Sequence, residues 1–162
     1  MKKLSLFVVV VAVLFSACGK KDAVDPAAMD KAKKYNQVIQ KGNDPADPIH
    51  GAQTTFSYGA ISGVAPAKAN GIGYLRTFAD GSSIVTVNVN ILKAPEKTSY
   101  TVMLKNTATN VMMEVGILES ILGDTRHSVE LSTKSDVRGY NTVNVYLGKV
   151  LVAEGTLKEV RK

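Results

Sequence analysis

The chain has 162 residues, which is enough for one domain with extensions. Hydrophobic residues make up 45% and charged residues 21%, but aromatic residues only 6% with no Trp, so a core must be built from aliphatic side chains. The net charge of +6 comes from basic residues scattered among acidic ones, and this argues against nucleic-acid binding, which usually concentrates basic residues on one face.

The first 17 residues have the three parts of a secretory signal. A short basic region, Met1 to Lys3, precedes an almost wholly apolar stretch over residues 4–15, and Ser16 and Ala17 form a small-residue site. The apolar stretch is shorter than the about 20 residues that a permanent membrane-spanning helix needs. We therefore predict a cleaved signal peptide over residues 1–17.

Cys18 is the only cysteine, so an intrachain disulfide is excluded. The run Leu14-Phe15-Ser16-Ala17-Cys18 resembles the lipobox of bacterial lipoproteins, with Phe15 where that motif usually has Leu. The resemblance implies cleavage before Cys18 and lipid on its sulfur, which anchors the protein to a membrane outside the cytoplasm. Lipoproteins of this kind often reach the outer membrane when the residue after the cysteine is not Asp, so the resemblance and Gly19 together imply the outer membrane in a cell with two membranes. The alternatives are an ordinary signal peptide and an uncleaved anchor.

Residues 18–54 are predicted to form a flexible tether, since Lys, Asp, Ala, Gly and Pro dominate there. One short helix is predicted from Pro26 to Gln40, with Asp25 as the N-cap and Gly42 near the C-terminal end. We predict a solvated or partly docked spacer helix, and the alternative is a basic helix on anionic lipid headgroups. Its thin apolar stripe comprises Met29, Ala32, Tyr35 or Asn36, Val38 and Ile39.

From about residue 55, apolar residues recur at every second position instead of every third or fourth, which is typical of antiparallel strands with one buried face. Turn signals separate the runs at 79–81, 107–110 and 148–149. We therefore predict an all-β domain over 55–162, an antiparallel two-sheet β-sandwich of the immunoglobulin kind or similar, with a barrel as the alternative. Gly71-Ile72-Gly73 is interpreted as a bend or bulge. The predicted strands are about 55–64, 72–78, 84–92, 100–105, 111–118, 127–133, 141–147 and 150–160.

Three runs in this domain, at 100–104, 115–118 and 150–157, loosely resemble β-sandwich domains on the outer side of bacterial membranes, such as the extracellular domains of some anti-sigma factors. The resemblance covers roughly the last hundred residues. It implies a β-sandwich that acts outside the cytoplasm.

A search for catalytic and metal-binding patterns finds none with the required spacing. The two histidines, His50 and His127, have no neighbouring cluster of His, Cys or carboxylates in the sequence. His127 is interpreted as a histidine packed at the start of a strand, with a metal ligand or a base as the alternative. We predict no catalytic residue, no metal and no cofactor.

Met103, Met112 and Tyr146 are the candidate binding residues. They occupy positions that strand alternation places on the solvent face, and a hairpin would bring the two methionines together. The leading hypothesis is a lipid-anchored, non-enzymatic envelope protein that uses this patch to bind an unknown envelope protein. The alternatives for the patch are a soft-metal site and a cover by the tether helix. The alternative function is a small-ligand or metal-binding lipoprotein, and an enzyme comes third.

Overall fold

The computed structural model describes residues 46–120 and 122–160. The predicted signal peptide, Cys18 and the predicted helix at 26–40 lie outside the described residues. Within the described part every regular element is a strand, and all strand pairs are antiparallel. The strands are β1 Ala46–Asp47, β2 Gly51–Gly63, β3 Ala69–Phe78, β4 Ser83–Ile91, β5 Tyr100–Lys105, β6 Met112–Ile117, β7 Glu119–Ser120, β8 Arg126–Thr133, β9 Thr142–Leu147, β10 Val150–Thr156 and β11 Lys158–Glu159.

All eight predicted strands are present, because alternation and turn chemistry act locally. In β5, every second side chain from Tyr100 to Leu104 is buried. The β3–β4 hairpin closes where Gly81 adopts a φ of +80°, a conformation that glycine takes without steric cost. The β9–β10 hairpin closes similarly at Gly148, with a φ of +60°. The prediction missed the short strands β1 and β7, which carry too few residues to show a period, and it joined β10 and β11 into one strand over 150–160.

The strands follow one continuous hydrogen-bonded path in the order β6-β5-β9-β10-β2-β3-β4-β8-β7, with β1 and β11 also paired to β2. The two ends of the path approach each other: a Cβ placed on Gly116 of β6 would lie 3.1 Å from Cγ2 of Val129 in β8. The sheet is therefore nearly closed and barrel-like. Because hydrogen bonding continues around it, the predicted division into two separate sheets is not clear.

One aliphatic core fills the sheet, as the composition predicts. Gly73 in β3 marks where opposite walls meet, since a Cβ placed there would lie 3.0 Å from Val143 Cγ2 in β9 and 3.2 Å from Leu157 Cδ2. The largest fully buried apolar side chains are Ile61, Val85, Val87, Val89, Val102, Leu104, Val137, Val143 and Val145.

Glycines also permit close approach of strand backbones. A Cβ on Gly59 would collide with the Thr156 carbonyl, and one on Gly155 would collide with the Ala60 carbonyl. These glycines allow the backbones of the antiparallel neighbours β2 and β10 to approach each other without side chains between them. The predicted bulge at residues 71–73 is wrong, because β3 keeps an unbroken register with both neighbours there. Gly71 and Gly73 serve close packing, since a Cβ at either position would lie within 3.0 Å of a neighbouring atom.

Strand β4 differs from its neighbours because both of its faces are buried. Its inward side chains include Val85 and Val87, which belong to the core. Thr86 and Asn88 point to the opposite face of the sheet, yet they are only 1% and 3% exposed. Thr86 is flanked on this face by Tyr74 of β3 and Glu130 of β8, and its hydroxyl donates to Glu130 Oε2 at 3.3 Å.

Candidate functional site

A polar cleft of about 270 Å³ opens at one end of the sheet. The β3–β4 hairpin and the loop that follows β8 form its walls. Four hydroxyl side chains line it, and the loop adds three charged side chains on the rim. The hydroxyl residues are Thr54, Thr77, Ser82 and Ser83, and the charged residues are Lys134, Asp136 and Arg138.

The threonine hydroxyls at the cleft hydrogen-bond to one another. Thr77 Oγ1 lies 2.8 Å from Thr54 Oγ1 and 2.6 Å from Thr55 Oγ1. Ser82 and Ser83 are buried at the start of β4. Hydroxyl side chains can donate to and accept from a small polar molecule, but they supply no strong acid or base.

The charged rim contains a bidentate ion pair. Arg138 donates from Nε to Asp136 Oδ1 at 2.9 Å and from Nη2 to Asp136 Oδ2 at 2.7 Å. These hydrogen bonds lower the pKa of Asp136 to about 2 and raise the pKa of Arg138. Both side chains are well exposed, so the pair adds little to folding stability. Because Asp136 neutralises Arg138, the net positive charge of the rim comes from Lys134.

A second polar group lies beside the cleft and joins the turn between β1 and β2 to the β3–β4 hairpin. His50 Nδ1 is 3.1 Å from Asp80 Oδ2, and the Ser82 hydroxyl donates to Asp80 Oδ1 at 2.5 Å. The Ser82 hydrogen bonds are the main reason why the pKa of Asp80 falls to about 2. The sequence analysis missed this group, since Asp80 and His50 come from separate segments.

This group contains the residue types of a hydrolytic triad in the wrong order. In a triad, the serine hydroxyl faces the histidine, which takes its proton, and the carboxylate orients the histidine from behind. Here the hydroxyl of Ser82 faces the carboxylate of Asp80, and Ser82 is 1% exposed. The arrangement therefore holds a turn in place and does not activate the serine.

His127 is a buried side chain that packs inside the domain. Its ring is 4% exposed, its Nδ1 lies 2.9 Å from the Thr125 carbonyl oxygen, and it meets the Tyr100 ring edge-on at 5.9 Å between centroids. It is buried more deeply than the sequence analysis predicted. Across residues 46–120 and 122–160, no three His, Cys, Asp or Glu side chains are grouped closely enough to hold a metal ion.

Met103, Met112 and Tyr146 all lie on the outer face formed by β5, β6 and β9. Met112 pairs with Lys105 and Met103 pairs with Glu114, so the two methionines are diagonal neighbours rather than directly opposite. Tyr146 pairs with Thr101 and is therefore diagonal to Met103 on the other side. We call these three residues, together with the exposed Val111 and Ile117, the β6 patch.

The sequence analysis missed Asn144, which lies next to Met103 across the strand pair. Asn144 is 6% exposed, its Nδ2 donates weakly to the Tyr146 hydroxyl at 3.4 Å, and its Oδ1 has no partner among the described residues. An amide at a solvent-face position of a strand gives no sign of burial in the sequence. Its buried oxygen adds an unused hydrogen-bond acceptor beneath the patch.

Comparison with protein-family models, with curated proteins and with solved structures finds nothing that matches this chain. Among the residues that the structure describes, no helix is long and apolar enough to cross a membrane.

Proposed function

We propose that this protein is a lipid-anchored lipoprotein of the cell envelope whose all-β domain is not an enzyme and binds another envelope protein. The anchor would be lipid on Cys18, and it rests on the lipobox-like run at residues 14–18. The binding surface would be the β6 patch. The finer prediction of two packed sheets, as in a β-sandwich, is part of the same proposal.

The observation that carries the binding proposal is the set of exposed apolar side chains at β6. Met112 and Ile117 of β6 are 39% and 52% exposed, and Val111, directly before the strand, is 51% exposed. Met103 of β5 and Tyr146 of β9 stand on the same outer face. Several large exposed apolar side chains on one face of a folded domain favour a protein partner. Methionine suits such a surface because its flexible, polarisable side chain adapts to the partner.

Charged residues beside the apolar side chains of the patch can orient a bound partner. Lys105 lies opposite Met112, and Glu114 lies opposite Met103 on the adjacent strand. Charges of both signs around an apolar centre add specificity and orientation more than affinity. We therefore expect a partner with an apolar centre and complementary charges on its rim.

The test replaces Met103 and Met112 by Glu in the native lipoprotein. Crosslinking and copurification from envelope membranes should show a discrete partner with the wild-type protein and none with Met103→Glu/Met112→Glu. The matched control is Leu92→Glu/Val150→Glu, because both residues are exposed and apolar but lie outside the patch. Equal recovery of the partner with both double variants would refute a binding role for the patch.

The anchor is tested separately through Cys18→Ser. We expect this variant to lose partitioning into the detergent phase, and we expect the mature N-terminus of the wild-type protein to carry acyl chains by mass spectrometry. An unmodified thiol at Cys18 would remove the anchor from the proposal and leave the binding surface to stand alone.

A second candidate function is the binding of a small polar ligand in the end cleft. The cleft supports it because hydroxyl side chains from three neighbouring strands line it together with Lys134, a combination suited to a small anion. Inorganic phosphate and acetate are suitable probes. Chemical-shift changes at Thr77 and Ser83 that saturate with the probe, and that vanish in Lys134→Ala, would support this function.

A further inference from the structure

Side chains on the outer face of β4 are buried although β3 and β8, which pair with it, lie beside it in the same sheet. Ile84 and Thr86 are 7% and 1% exposed, and the long side chains of Arg76, Tyr74 and Glu130 stand beside them on this face and can cover part of their surface. Asn88 has only Ile72 and Ser128 opposite it, yet it is 3% exposed.

Asn88 shows most clearly that something lies above the face. Its cross-strand neighbours are Ile72 on one side and Ser128 on the other, and the serine side chain is shorter than the asparagine side chain. The terminal amide of Asn88 therefore projects beyond Ser128, yet both its nitrogen and its oxygen are buried and have no partner among the described residues. A bare sheet surface would leave this amide in water.

We propose that residues 26–40 of this chain lie across the outer face of β3, β4 and β8. The described chain begins at the edge of this face. Ala46 pairs with Ala52, and His50 then packs its ring over Phe78 with centroids 5.4 Å apart. Phe78 stands on the same side of β3 as Arg76 and Ile72, so the chain before Ala46 arrives at one end of the face.

The lengths agree with this placement. Residues 41–45 can span at most about 17 Å, which is enough to bring residue 40 over the first rungs of the face. A helix over residues 26–40 would be about 22 Å long. The outer face from Ile84 to Asn90 extends for about 20 Å along the strand. The segment therefore matches the area that is covered.

The chemistry of the segment also agrees with this placement. The predicted helix has an apolar stripe centred on Ala32 and Ile39, which would meet Ile72 and Ile84. The amide side chain of Asn36 belongs to the same stripe and is suited to the unpartnered amide of Asn88. The lysines of the segment would remain on the side that faces water.

Docking of this segment would change the reach of the tether. If the proposed lipid on Cys18 is present, only residues 19–25 would separate the anchor from the docked segment, a span of about 25 Å at most. The domain would then be held near the lipid surface instead of on a long spacer. Docking itself does not depend on the lipid, so it should occur in Cys18→Ser as well.

The experiment places a photo-crosslinking amino acid, p-benzoylphenylalanine, at position 88 of the full chain. Mass spectrometry should map intramolecular crosslinks to residues 26–40, in the wild-type background and in Cys18→Ser. The matched control carries the same group at position 101, on the outer face of the opposite wall, and should give no crosslink to the segment. Crosslinks from position 88 to another protein or to a second copy, or none to residues 26–40, would overturn the proposal.

Limited trypsin digestion keeps the proposal testable if the probe at position 88 disturbs folding. Docking should protect the bonds after the lysines of the segment, and Ile39→Asp should speed their cleavage by about tenfold or more by favouring the undocked state. The control is Gln37→Asp, which places the same charge on the opposite side of the predicted helix and should leave the rate unchanged. Equal rates in both variants would contradict docking through the apolar stripe.

Discussion

The meeting of β3 and β9 at Gly73 yields a quantitative prediction about the core. Gly73→Ala adds a methyl group that would lie 3.0 Å from Val143 Cγ2 and 3.2 Å from Leu157 Cδ2, closer than a comfortable packing contact. Because these are side-chain atoms in a filled core, they can yield only partly. We expect a loss of about 1–3 kcal/mol in the free energy of unfolding.

The companion variant is Val143→Ala. It removes two methyl groups from a side chain that is 0% exposed, and at about 0.8 kcal/mol for each group it should cost about 2 kcal/mol with a small cavity. In the double variant, the methyl group added at position 73 occupies part of the space that the valine side chain vacates. The double loss should therefore be smaller than the sum of the single losses by about 0.5 kcal/mol or more.

Urea denaturation followed by circular dichroism measures all four free energies of this cycle. Gly123→Ala is a suitable control, because its Cβ would meet no atom within 4 Å and its cost should arise only from the positive φ of that residue. If the double variant loses as much free energy of unfolding as the two single variants together, or more, then β3 does not pack against β9 at Gly73 and Val143.

Three further predictions concern single side chains. Asp80→Asn keeps an acceptor for the Ser82 amide but removes the carboxylate, whose pKa is lowered to about 2. The wild type should therefore lose stability as the pH falls from about 4 to about 2, and the variant should lose less over that range. Urea midpoints measured at each pH provide the check. Tyr100→Phe removes the hydroxyl that donates to the Leu92 carbonyl oxygen at 3.0 Å and should cost about 1 kcal/mol by urea denaturation, and an unchanged midpoint would contradict this. Leu157→Ala should lower the free energy of unfolding by about 2–5 kcal/mol, because that side chain is 5% exposed, and thermal melting provides the check.

The strands could be predicted because their signals are local. Alternation along β5 and β9 and the Asp80-Gly81 turn each depend on a few neighbouring residues, and the structure contains both strands and that hairpin. The order of the strands around the sheet depends on long-range pairings, so the sequence did not distinguish a nearly closed sheet from two separate sheets.

The buried asparagines and the contact between His50 and Asp80 could not be predicted from local sequence patterns. Asn88 and Asn144 occupy solvent-face positions in the strand pattern, and polar residues at such positions predict exposure. Their burial depends on what lies above the strand, which periodicity does not record. The contact of His50 with Asp80 likewise joins segments that only the folded chain brings together.

The pairing of β2 with β10 and β11 has a consequence for how the domain forms. One flank of this first long strand pairs with residues far along the sequence: Ser62 pairs with Glu154, and Tyr58 pairs with Lys158. A nascent or translocating chain that still lacks residues 150–159 would expose that flank of β2. Completion of the sheet must therefore wait until residues 150–159 are available, and a chain interrupted before them would present an unpaired edge to other extended chains and to proteases.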